Sequence, residues 1–321
     1  MALVIVGCGW IARRHAAAAR VLRMPMVFAS RDLARARAYA REFGGAAAYG
    51  SYEEALRHPD ARGAVICTPH DRHLADVLAA VEAGRHVLVE KPIARTLDEA
   101  DRMIAAAARA GRVLMVGENF RFMPAFRAVR RLIDAGALGA LREVHLIARG
   151  FRQPSGWRCA PAAGGGALID GGIHYVHALR WWGGEVRRLF ALRPPQTLDM
   201  PGEDAIDVLA ELESGAVGVL ANSLAAPGVP RFQWSTVTGT GGTCFVENRG
   251  RIMLVRGATG PRVRLFRRDV RGHVAMLEAF ERAMAAGRAE EMDGDAGRRD
   301  LAVVLAAYRS IDEGRPVEPA C

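Results

Sequence analysis

A short apolar run, Leu3-Val4-Ile5-Val6, leads into Gly7-Cys8-Gly9-Trp10-Ile11-Ala12, and a stretch rich in alanine and arginine follows. No other feature constrains the fold as much. A strand, a G-x-G-x-x-A turn and a helix open a dinucleotide-binding unit. The glycines permit a tight turn and let a pyrophosphate reach the amides at the helix N-terminus. The pattern predicts a strand over 3–6 and a helix over 11–22.

The alternation continues. Residues 26–29 read as a strand with Ser30-Arg31-Asp32 at its tip. Dinucleotide folds commonly hold the ribose 2′-hydroxyl with an acid there, whereas a serine and an arginine suit a 2′-phosphate. NADP is therefore expected ahead of NAD, with Asp32 capping a helix over 33–43. Ser51-Tyr52-Glu53-Glu54 and Thr96-Leu97-Asp98-Glu99 are capping boxes. A strand over 64–68 is closed by Pro69, His70 and His73 follow, and Gly84 ends a helix over 74–83. Strands over 87–89 and 113–116 bracket a helix running from the second capping box to 110. Strands alternating with helices predict a parallel, doubly wound α/β sheet, with ligands at the strands' carboxyl ends.

One of those ends is Glu90-Lys91-Pro92. The chain has 44 Lys and Arg residues, and Lys91 is the only lysine among them. A chain so biased toward arginine could supply charge here with another arginine. Lysine offers what arginine does not, a compact ammonium with rotatable donors and a pKa that its surroundings can lower.

Beyond residue 120 the pattern changes. A helix over 123–134 precedes strand-length segments at 141–151, 186–192, 204–213, 217–224, 232–239, 243–247, 252–255 and 263–266, and helices at 274–286 and 296–313 finish the chain. This predicts an α+β domain with a large, mainly antiparallel open sheet. The division expected is 1–121 for a Rossmann domain and 122–321 for substrate binding and oligomerisation.

Inside the second part lies Gly164-Gly165-Gly166-Ala167-Leu168-Ile169-Asp170-Gly171-Gly172-Ile173-His174-Tyr175-Val176-His177, expected to begin a helix over 167–182. Glycine costs about 1 kcal/mol in a helix relative to alanine, so Gly171 and Gly172 point to a close approach to the backbone. At helical spacing Asp170, His174 and His177 share a face. An Asp one turn from a His makes an acid/base pair, the carboxylate orienting the imidazole. An Asp with two histidines also fits a metal site, but no fourth ligand is evident, and no metal is expected.

Composition narrows the classes. The net charge of +9 comes from arginines scattered singly or in pairs, which argues against nucleic acid. No apolar run reaches the about 18 residues that a membrane span needs, and with a strand read from residue 3 no secretory signal is expected. The five cysteines form no C-x-x-C pair, as expected of free thiols in a reducing cytoplasm.

The glycine turn, Glu90-Lys91-Pro92, Trp157-Arg158 and the Asp170…His174 helix stand in an order that resembles the glucose–fructose oxidoreductase / inositol dehydrogenase / rhizopine-catabolism (Gfo/Idh/MocA) family. The likeness extends through Thr68-Pro69…His73, Asn119-Phe120-Arg121-Phe122-Met123-Pro124 and Ala307-Tyr308-Arg309-Ser310. It implies an NAD(P)-dependent oxidoreductase acting on a hydroxyl or keto carbon of a sugar, sugar derivative or cyclitol. The alternative is a redox-assisted, glycoside-cleaving or eliminating enzyme with no net oxidation. Lys91, Asp170 and His174 carry over as catalytic residues. Gly7, Gly9, Trp10, Ile11, Ala12, Ser30, Arg31, Thr68, Pro69, His73, Glu90, Lys91 and Asn119 are expected at the cofactor. Lys91, Trp157, Arg158, Asp170, His174 and His177 are expected at the substrate. Family members often carry an acid where this chain has His177. A homodimer or homotetramer through the C-terminal sheet is expected.

Overall fold

The computed structural model of the protein describes residues 2–228, 233–257 and 260–320. Its first part alternates strand and helix: β1 (Ala2–Val6), α1 (Trp10–Val21), β2 (Met26–Ala29), α2 (Leu33–Phe43), β3 (Ala47–Tyr49), α3 (Tyr52–Leu56), β4 (Ala61–Ile66), α4 (His73–Glu82), β5 (His86–Glu90), α5 (Leu97–Arg109) and β6 (Leu114–Gly117). Next come α6 (Pro124–Asp134), β7 (Leu141–Arg149), α7 (Ile173–Gly183), β8 (Val186–Leu192), β9 (Ala205–Leu212) and β10 (Val217–Ser223). The chain ends with β11 (Trp234–Gly239), β12 (Gly242–Glu247), β13 (Ile252–Gly257), β14 (Gly260–Leu265), α8 (His273–Ala286) and α9 (Gly294–Glu313). Phe232, expected to open the strand at β11, and Cys321 lie outside the described residues.

The first sheet runs β3-β2-β1-β4-β5-β6, parallel throughout. Every residue of β1, β2, β5 and β6 is buried, as a sheet covered on both faces requires. The expected caps form: Asp32, Ser51 and Thr96 each accept from the backbone N–H three residues on. The sequence reading missed β3. Its Ala-Ala-Tyr has little strand propensity, and pairing with β2 alone defines it.

The chain divides into two compact units, Met1–Glu118 with His273–Arg298, and Asn119–Gly272 with Arg299–Cys321. A boundary at 121/122 assigns 273–298 to the second part of the chain, whereas this segment packs with the first. There α8 lies on α1, Arg62 donates to the Met284 carbonyl at 3.0 Å, and Met284 and Phe280 fill the space beside Gly63.

The second unit holds the eight-stranded sheet β14-β13-β12-β11-β7-β10-β9-β8. It is antiparallel except where β7 and β10 run parallel. Burial alternates along β9 and β10, so one face is covered, with α7 against β7 and β10, and the other is open.

Candidate functional site

In the first unit, β1 delivers Gly7 at φ +91°, where a Cβ would stand 3.1 Å from the Cys67 carbonyl and from Thr68. Only glycine makes this turn without strain. Gly9 is the N-cap of α1, and this helix end has no side-chain cap and no acid in its first turn. Space for a Cβ at Gly9 is open. An uncapped N-terminus behind a glycine turn suits a dinucleotide pyrophosphate, so the residues present fit the cofactor. Ala12 is buried against the sheet, Ile11 is half-buried, and Trp10 is exposed with Arg14 over its ring. Burial pushes the Cys8 thiol up to about 12, so it is no nucleophile.

At the tip of β2, the Asp32 carboxylate accepts from Arg35 N at 3.2 Å and so closes α2. Ser30 is buried and its hydroxyl accepts from Asp32 N at 3.2 Å, while Arg31 is exposed.

Three residues expected at the cofactor have protein partners for their side chains. Thr68 donates to Asp76 at 2.7 Å. His73, with no exposed surface, faces the Pro92 carbonyl at 2.9 Å through Nδ1 and the Thr68 carbonyl at 3.1 Å through Nε2. Burial lowers its pKa despite those carbonyls, and a neutral ring donates to one of them at a time. Asn119 belongs to the second unit, where its amide donates to the Arg271 carbonyl at 2.8 Å. Pro69 is half-buried at the loop after β4.

Glu90 ends β5 buried, with its Oε1 2.6 Å from Nε2 of the wholly enclosed His15 on α1. Burial raises the Glu90 pKa, but His15 and Lys91 outweigh it, and the carboxyl sits below its ordinary value. Lys91 follows half-buried. His15 escaped the sequence reading, since an isolated histidine in an alanine-rich helix gives no signal beyond its place on the buried face.

In the second unit the glycine-rich stretch departs from the single α-helix expected over 167–182. Leu168–Gly172 forms a π-helical turn, and α7 begins at Ile173. The four-residue step from Asp170 to His174 therefore does not have α-helical geometry. A Cβ at Gly172 would meet Leu168 at 2.8 Å and Asn222 of β10 at 3.0 Å. The close approach there is by protein. At Gly171 the space is open.

Asp170 is nearly buried, and its Oδ2 takes Arg158 at 3.2 Å and Arg152 at 3.3 Å. Arg158 also lies over the Trp157 ring at 4.3 Å. His174 is half-buried and stacks on Phe120, with ring centroids 4.6 Å apart and planes 10° apart. His177 does not share this surroundings: it is buried, and its Nδ1 is 3.0 Å from Asp300 of α9. The π-turn alters the rotation between Asp170 and both histidines, while His174 and His177 differ through their own neighbours, Phe120 and Asp300. Arg180 also bonds Asp300 and grips Glu185 with two bonds of 2.7 Å. Glu203 braces the π-turn by accepting from Leu168 N and from the Tyr308 hydroxyl, both at 2.9 Å. Sequence reasoning missed Arg152, Glu203 and Asp300, whose partners lie far away in the chain.

A Rossmann unit with an uncapped glycine turn, and a second unit with an open sheet and an Asp/His element, define a class of nicotinamide-dependent oxidoreductases. Residues 1–118 match the oxidoreductase family with an NAD-binding Rossmann fold, and 126–245 match the GFO/IDH/MocA C-terminal domain. The chain belongs to the Gfo/Idh/MocA oxidoreductase family. It is 31% identical to a D-xylose 1-dehydrogenase (NADP(+)) of Haloferax volcanii, over 90% of each chain. It is 27% identical to the myo-inositol 2-dehydrogenase of Thermotoga maritima, over 99% of this chain and 98% of that one. A 1,5-anhydro-D-fructose reductase of Ensifer adhaerens is 39% identical, over 46% of this chain and 45% of the relative. The solved structure of a levoglucosan dehydrogenase with NADH superposes with a TM-score of 0.91 at 21% identity, covering 100% and 99% of the two chains, and shows the shared fold.

Proposed function

We propose that the protein transfers hydride between a nicotinamide and a hydroxyl or keto carbon of a sugar, sugar derivative or cyclitol, with NADP preferred modestly over NAD. The observation that carries this reading is the placement of Lys91, the chain's only lysine, directly after β5 at the carboxyl end of the Rossmann sheet. The sugar and cyclitol substrates named for the xylose, inositol and anhydrofructose relatives support the substrate class.

When bound, the nicotinamide takes or returns the hydride, and Gly7, Gly9 and the N-terminus of α1 would hold its pyrophosphate. His174 exchanges the proton of the reacting hydroxyl, and Phe120 limits the rotation of its ring. Asp170 orients that hydroxyl or the imidazole. Its charge is balanced by Arg158 and Arg152, so it serves as an acceptor of fixed direction. Lys91 donates to a substrate oxygen on which negative charge develops. Arg158 and Trp157 present a charged edge and a ring face to sugar hydroxyls. His177 is set apart from this group by its bond to Asp300.

The NADP preference rests on Ser30 and exposed Arg31, with Asp32 committed to α2. Arg31→Ala should weaken NADPH binding far more than NADH binding in fluorescence titrations. Equal losses for both would remove the case for a 2′-phosphate contact. A screen of sugars and cyclitols with both nicotinamides tests the reaction. Net nicotinamide absorbance change during turnover is the expected outcome, and turnover without it would favour redox-assisted cleavage.

The open face of the second sheet supports a homodimer or homotetramer. Across it, Phe190, Leu209 and Val219 lie in register, and Phe245, Leu254 and Val263 form a second apolar row. Leu209 and Val263 are 54% and 67% exposed, more than a settled monomer surface favours in one sheet face. Leu209→Arg should turn the assembly into monomers in sedimentation velocity; a parent protein that is already monomeric would defeat this reading. Cys8, Cys67, Cys159 and Cys244 are free, which supports a reducing cytoplasm.

A further inference from the structure

We propose that His15 and His73 are positioning residues that clamp the chain on the two sides of Lys91, and that neither touches the cofactor. The inference deepens the reading above, since it rests on Lys91 acting at the reacting oxygen.

Three consecutive residues are involved. Glu90 is held through its side chain, by Nε2 of His15 at 2.6 Å. Pro92 is held through its carbonyl, by Nδ1 of His73 at 2.9 Å. Lys91 lies between them. The clamps come from separate helices, α1 and α4, and both rings have 0% exposure, which leaves no surface for a ligand.

The chemistry of each contact is specific. His15 Nδ1 has no hydrogen-bond partner among the described residues. A neutral ring that donates its one N–H from Nε2 to Glu90 leaves Nδ1 as a bare acceptor, whereas an imidazolium would leave a buried N–H unsatisfied. β6 also closes on Glu90, since a Cβ at Gly117 would lie 3.2 Å from the same Oε1. The carboxylate therefore has little freedom to move. Nε2 of His73 lies 3.1 Å from the Thr68 carbonyl, so the ring has a second acceptor beside it, and the clamp on Pro92 is made by the tautomer that carries its N–H on Nδ1.

The need for two clamps follows from lysine itself. Its stem has four rotatable bonds, so its ammonium reaches a set point only if its backbone is fixed. Displacements near 1 Å at a reacting centre cost up to about a hundredfold in rate. An ion or hydrogen-bonded pair buried only for stability gains little over apolar packing of the same volume. A pair on each side of the one lysine has a geometric use that apolar packing does not supply.

The test uses the full chain, with kcat and KM measured on a substrate found by the screen and the NADPH dissociation constant measured by fluorescence titration. His15→Leu and His73→Leu should lower kcat by about tenfold to a hundredfold, with the dissociation constant unchanged. His15→Gln keeps an N–H near the Nε2 position and His73→Asn keeps one near Nδ1, so each should recover most of the lost kcat. Leucine variants that weaken NADPH binding while kcat holds would make the histidines cofactor ligands and overturn the proposal. Failure of the Gln and Asn variants to recover kcat in folded protein would also overturn it. If the leucine variants do not fold, Glu90→Ala gives the same test, since it removes the acceptor for His15 and should lower kcat with binding unchanged; an unaltered kcat counts against the clamp. Lys91→Met separates the two layers. Full activity there removes the role of Lys91 itself, whereas an inactive Lys91→Met beside fully active clamp variants overturns the clamps alone.

Discussion

Lys91→Met is expected to lower turnover by about a hundredfold or more while NADPH binding and the fold persist. Met matches the lysine stem in length and keeps its packing, so the loss isolates the ammonium. Lys91→Arg should fall nearly as far. A guanidinium keeps the charge, but it is larger, planar and delocalised, and it does not place a compact charge at the same point from the same backbone position. His174→Ala belongs to the same prediction, with turnover lost and cofactor binding retained. That split is informative because His174 and the glycine turn lie in different compact units. Steady-state kinetics beside fluorescence titration reads both quantities, and a Lys91→Met enzyme with parental kcat would end the proposed role.

Asp300→Ala should cost about 3–5 kcal/mol of stability, the penalty for leaving a buried charge without its partner. Asp300 is 2% exposed, accepts from His177, and bonds Arg180, which is itself buried. Burial pushes the Asp300 carboxyl up, but His177 and Arg180 outweigh that, and its pKa lies below the ordinary aspartate value. A depressed pKa means that the unfolded chain binds the proton more readily than the folded one. The Asp300 contribution is therefore complete above the ordinary aspartate range and is lost as pH falls through the lowered value. Urea unfolding over a pH series should show the variant far less stable at neutral pH, with the gap to the parent closing in acid. A gap that stays constant with pH would show that ionised Asp300 does not supply the difference.

Much of this was legible in the residues. Strand–turn–helix order, capping boxes and period-two burial are local properties, so β2, α2 and β8 fall where the pattern puts them. The failures share one cause. Ala47–Tyr49 is a strand only because β2 offers it a ladder. Residues 273–298 join the first unit only because α8 finds an apolar surface on α1. The π-turn at Leu168–Gly172 depends on Glu203 and Tyr308, 35 and 105 residues apart from their partners in the chain. Such pairings have no local signature.

Read along the chain, the residues already mark a dinucleotide turn after the first strand, one lysine at the end of a buried strand, and Asp170 and His174 four positions apart in a glycine-rich segment. Those are matters of residue type and spacing. Tertiary structure alone decided which neighbours these groups acquire: His15 for Glu90, His73 for Pro92, two arginines for Asp170, and Asp300 for His177. The reason is physical. A buried polar group must find a partner wherever packing brings one within reach, and distance along the chain does not limit that choice.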